Sequence, residues 1–83
     1  MRFKYRKLVL DDLARHGIIP AEDTPPDLIR DYLNGLYLFE IRSLRARMKA
    51  GEIKKEDYAG HVSELRNRYP LLGLPMTLWI EES

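Results

Sequence analysis

Cysteine is absent from this chain. That excludes a disulfide framework and a thiolate metal site, and leaves noncovalent packing to stabilise the fold. Histidine is scarce, with only His16 and His61. The glycines Gly17, Gly35, Gly51, Gly60 and Gly73 stand singly, so no glycine-rich phosphate loop is present. Long apolar runs are missing too. The basic opening is followed only by Leu8-Val9-Leu10 before Asp11-Asp12, which is too short for a signal-peptide core, and no stretch approaches a membrane span. The expectation is a cytoplasmic protein that does not engage membranes. Neither sign of charge dominates: Lys and Arg number 14 against 13 Asp and Glu, a net charge of +1. This balance argues against a strongly basic nucleic-acid binder, although charge can be segregated within a neutral total.

What is present is an ordinary globular composition, 45% hydrophobic and 33% charged, in 83 residues. One domain, 1–83, is expected. A core below roughly 80 residues seldom supplies more than about 3–5 kcal/mol of net stability. Association with a copy of itself or with a larger partner is a common remedy.

Two stretches carry the same apolar spacing. Tyr37, Ile41, Leu44 and Met48 step by four, three and four, and Tyr58, Val62, Leu65 and Tyr69 repeat the steps. Residues three and four apart share one helix face. Folding the second stretch back pairs Met48 with Tyr58, Leu44 with Val62, Ile41 with Leu65 and Tyr37 with Tyr69, an antiparallel helical hairpin. In that register Glu40 faces Arg68 and Arg47 lies opposite His61 across one edge of the seam. Between the helices, Ala50-Gly51-Glu52-Ile53-Lys54-Lys55-Glu56-Asp57-Tyr58 resembles the turn of the short C-terminal helical-hairpin (SHOCT-type) domains. That likeness covers the turn alone, and no function is carried over from it.

The fold expected is all-α: three helices at about 4–16, 25–50 and 55–68, with an apolar tail, 70–83, packed back on them. Gly17 suits a left-handed stop to the first helix and Gly51 to the second. The first segment is open to another reading, since Arg2-Phe3-Lys4-Tyr5-Arg6 alternates as an edge strand does. Thr24-Pro25-Pro26-Asp27 marks the second helix start, with threonine as cap. At 1.5 Å per residue this helix reaches about 39 Å. Leu28, Ile29, Tyr32, Leu33, Leu36 and Phe39 line its first half, and the hairpin stripe its second; the two overlap at Leu36–Phe39. Gly35 inside it costs about 1 kcal/mol relative to alanine, which a closely approaching neighbour would explain; a tolerated defect explains it equally. Pro70 ends the third helix. In the tail Met76, Leu78 and Ile80 alternate, which suits a short strand pairing with residues 2–6; a short helix begun by Pro75 suits it equally.

Site chemistry is sparse. Asp57, His61 and Glu64 share a strip of the third helix, but the strip continues to Arg68 and reads as a salt-bridging flank. Ser43, Ser63 and Ser83 lack a nucleophile-elbow context. Of the paired acids, Asp11-Asp12 lies mid-helix or near a turn, and Glu22-Asp23 and Asp27/Asp31 lie at a helix start, where acids suit the helix dipole. His16, in the last turn before Gly17, suits the dipole as a partly cationic cap. No enzymatic activity, cofactor, metal or small-molecule substrate is expected. The best candidate surface is basic: Arg42, Arg45 and Lys49 point away from the seam, with Arg66 of the third helix beside Leu38. The function expected is a non-enzymatic protein-interaction module, an accessory subunit or adaptor that binds a protein partner or itself through Leu38 and these cations. The alternative is nucleic-acid binding by the same basic face.

Overall fold

The computed structural model describes residues 2–81. Met1, Glu82 and Ser83 lie outside the described residues, and with them the last two positions of the expected tail. Three helices follow in order: α1 (Lys7–Arg15), α2 (Pro26–Lys49) and α3 (Lys55–Asn67). Two short 3-10 turns, Pro70–Gly73 and Met76–Leu78, make up the tail. The all-α class is as expected, and α2 and α3 pack together as the antiparallel hairpin.

The glycine stops hold in detail. Gly17 has φ 73° and Gly51 φ 82°. At the first, the N–H of Ile18 reaches the carbonyl of Leu13 and that of Gly17 reaches Ala14, which is the Schellman closure. At the second, Glu52 reaches Arg47 and Gly51 reaches Met48 in the same pattern. An exposed Arg47–Glu52 ion pair at 3.4 Å lies over that turn.

The helix starts differ from expectation. Helix α1 begins at Lys7 rather than near position 4, because residues 2–6 are extended and paired with the tail. Tyr5 bridges Ile80 antiparallel, the Arg6 N–H donates to the Trp79 carbonyl, and the Glu81 N–H donates to the Lys4 carbonyl. Both readings of the tail therefore hold in part, since Pro75 opens a 3-10 turn and the pairing follows it. Thr24 does not cap α2. Pro25 occupies the cap position, and the Thr24 hydroxyl instead accepts the Ala21 N–H at 3.1 Å within the preceding turn.

The core lies toward one end of an elongated molecule measuring 50 × 17 × 16 Å. Tyr5, Val9, Leu13, Ile18, Leu33, Leu65, Tyr69, Leu71 and Trp79 form its buried cluster, with Ile29, Leu36, Tyr37 and Ile41 packed against it. Trp79, Leu13, Leu33 and Val9 are fully buried, and each aliphatic side chain of this kind contributes about 1.5–3 kcal/mol. The first half of α2 thus packs on the N-terminal segment and the tail, as its stripe predicts. Beyond the cluster the second half of α2 runs beside α3 alone. Buried Leu44 holds that seam and Ile53 closes it at the turn. The result is a globular head with a two-helix arm.

The predicted stripe on the first half of α2 is too wide. Ile29, Leu33 and Leu36 turn inward, whereas Leu28, Tyr32 and Phe39 are exposed. Helix α1 has only nine residues and the tail is short, so together they cover one side of α2 and no more.

Candidate interaction surface

The face of α2 opposite its packing is uncovered along its whole length. Leu38 retains 41% of its surface in solvent and Phe39 71%, while Leu36 and Tyr37 of the same apolar belt are half-buried in the head. The belt is therefore divided, one side core and the other surface. From Leu38 the helical repeat carries the surface to Arg42, Arg45 and Lys49, all exposed. Arg66 is also exposed and lines a cleft with Arg30, Asn34, Tyr37 and Leu72, where Arg30 Nη2 donates to the Leu72 carbonyl at 3.1 Å. Among the described residues the ion pairs are Arg2–Glu22, Lys4–Glu81, Arg15–Asp12 and Arg47–Glu52. None involves Arg42, Arg45, Lys49 or Arg66, so all four keep their charge available to an external group.

On the other edge of the hairpin, Glu40, Arg47, His61 and Arg68 line one groove, as the register predicts. The expected Glu40–Arg68 ion pair is not formed. Glu40 instead accepts the hydroxyl hydrogen of Tyr69, the next residue along, which lies closer to the seam. Burial, and then this hydrogen bond, push the Tyr69 phenol up to about 12. The Tyr69 ring meets Tyr37 edge-on at 5.4 Å, the innermost rung of the predicted ladder.

Sequence reasoning missed what stands on the other side of Tyr69. His16 stacks on that ring at 4.5 Å and lies 2.8 Å from the Arg68 carbonyl through Nε2. A carbonyl only accepts, so Nε2 carries the hydrogen. His16 is the cap residue of α1, but its side chain clamps α1 to the end of α3 rather than serving its own helix. Nothing in the local pattern signals a contact across so many residues. Asp12 was equally unforeseen. It is buried, with Oδ1 accepting from Arg15 at 3.3 Å and Oδ2 lacking a hydrogen-bond partner among the described residues. Tyr5 donates its hydroxyl to the Thr24 carbonyl at 2.6 Å, and its phenol is raised by burial and then by the charge of Asp27.

Asp57, His61 and Glu64 do not converge: among the described residues no cluster of three His, Cys, Asp or Glu could hold a metal ion. No described helix is long and apolar enough to cross a membrane. Compared with protein-family models, curated proteins and solved structures, the chain matches none. The fold defines the chain as a small all-α domain bearing a helical-hairpin arm.

Proposed function

We propose that this protein is a non-enzymatic interaction module, a cytoplasmic accessory subunit or adaptor that binds protein through the outer face of α2. One observation carries the reading. The arm is a two-helix unit with a single buried seam, yet its longer helix presents exposed Leu38 and Phe39 beside three cations that form no ion pair among the described residues. Apolar side chains at the centre of a patch with charges at its rim are the usual arrangement of a protein-binding surface. Affinity capture of the tagged protein from its native lysate, after nuclease treatment, tests it. A stoichiometric protein partner that is lost with Leu38→Glu is expected. Unchanged capture by a folded Leu38→Glu protein would remove this face from the interface.

The absence of ion pairs at Arg42, Arg45, Lys49 and Arg66 among the described residues favours a second reading, in which the basic face meets nucleic acid. Binding would then weaken steeply with added salt and be lost when the four become glutamate. Salt-independent binding, or none, would sink it.

A further inference from the structure

We propose that the partner of this face is a second copy of the same chain, with the two α2 helices antiparallel about a two-fold axis at Leu38. The inference rests on the interaction reading and names its occupant. It comes from the order of charges along one strip of α2. Taking Leu38 as origin, Asp31 lies seven residues before and Arg45 seven after; Asp27 lies eleven before and Lys49 eleven after. At 100° per residue these five side chains fall within about 20° of one line. All five are exposed, and among the described residues none is in an ion pair. Asp27 does accept the neighbouring Leu28 N–H at 2.9 Å within the first turn of α2, where the helix dipole also suits an acid, and it has no cationic side-chain partner among the described residues.

An axis perpendicular to two antiparallel helices sets each residue n places before Leu38 against the residue n places after it in the other copy. Asp31 then meets Arg45 of the second copy, Asp27 meets Lys49, and each pair occurs twice. The leucines meet at the axis. No other simple arrangement keeps this match. A parallel pairing sets Asp31 on Asp31 and Arg45 on Arg45, and a shift of one heptad sets Leu38 against a charge. Gly35 lies on the same face, three residues from Leu38, and among the described residues nothing comes within 4 Å of where a side chain would begin, so the strip is open to a crossing helix there. Leu28, Tyr32 and Phe39 border the strip and add apolar area to the contact.

Sedimentation equilibrium on the full chain, from micromolar to millimolar concentration, tests the register. Asp31→Arg and Arg45→Asp should each weaken self-association by roughly tenfold, since each sets like charges together twice. The double variant exchanges the signs and should return to within about threefold of the parent. A loss caused only by altered helix stability would not be rescued this way, and far-ultraviolet circular dichroism would expose it. Because the chain has no cysteine, introduced thiols read the geometry directly. Under mild oxidation Leu38→Cys should cross-link to itself. Asp31→Cys should not, but should cross-link when mixed with Arg45→Cys. A chain monomeric throughout, a dimer indifferent to the charge exchange, or Asp31→Cys joining to itself as readily as Leu38→Cys would each overturn the proposal. If it fails while Leu38→Glu still loses a protein from the lysate, the interaction reading stands with a different partner.

Discussion

Tyr69→Phe isolates one oxygen at the joint between head and arm. The ring would keep its stack on His16 and its edge contact with Tyr37, and only the hydrogen bond to Glu40 would go. A hydrogen bond to a charged group contributes about 1.5–3 kcal/mol. Glu40 is half-buried and regains water once released, so the lower end applies, roughly 1.5 kcal/mol at neutral pH. Deleting the ring with alanine should cost more, about 3–5 kcal/mol, because a cavity is added. The pH dependence is the sharper test. The folded phenol is raised from 10.0 to about 12, so its contribution is complete below pH 10 and is lost as pH rises toward 12. The gap between parent and Tyr69→Phe should therefore narrow steadily above pH 10. Urea denaturation at a series of pH values, followed by the fluorescence of the single, fully buried Trp79, measures it. Equal stability at neutral pH, or a gap unchanged on the alkaline side, would refute the assigned role.

Trp79→Ala should remove about 3–5 kcal/mol, comparable to the whole stability of so small a domain, and leave the chain largely unfolded by circular dichroism. Gly35→Ala should raise stability by about 1 kcal/mol at protein concentrations low enough to keep the chain monomeric, since the position is helical and open. Gly51→Ala should lower it by about 1 kcal/mol or more, because φ is 82° there; thermal melts of the two variants should shift in opposite directions. Asp12→Asn should be at least as stable as the parent in urea, since it removes a buried charge whose Oδ2 has no partner. A loss above about 2 kcal/mol would show that the carboxylate is structurally required.

The parts legible in the sequence are those governed by local repetition. The hairpin follows from two apolar stripes of equal spacing, because a helix sets residues three and four apart on one side whatever surrounds it. The stops at Gly17 and Gly51 follow from the steric freedom of one residue type at positive φ. The strip from Asp27 to Lys49 is of the same kind, its order printed in the chain and its geometry given by the helical repeat. Sequence could not decide which of several apolar sides of α2 would be covered, since that depends on how far α1 and the tail reach across it.

Tertiary structure alone decided the rest. It set extended residues 2–6 beside the end of the tail, buried Trp79 between them and the helices, and carried His16 across to Tyr69 and Arg68. It replaced an ion pair between Glu40 and Arg68 with a hydrogen bond from Tyr69, and it left Leu38 and Phe39 in solvent. These contacts join residues distant along the chain, and no short-range periodicity encodes them. They arise when the helices and the tail compete to cover the same core, and the geometry of that packing selects which side chains meet.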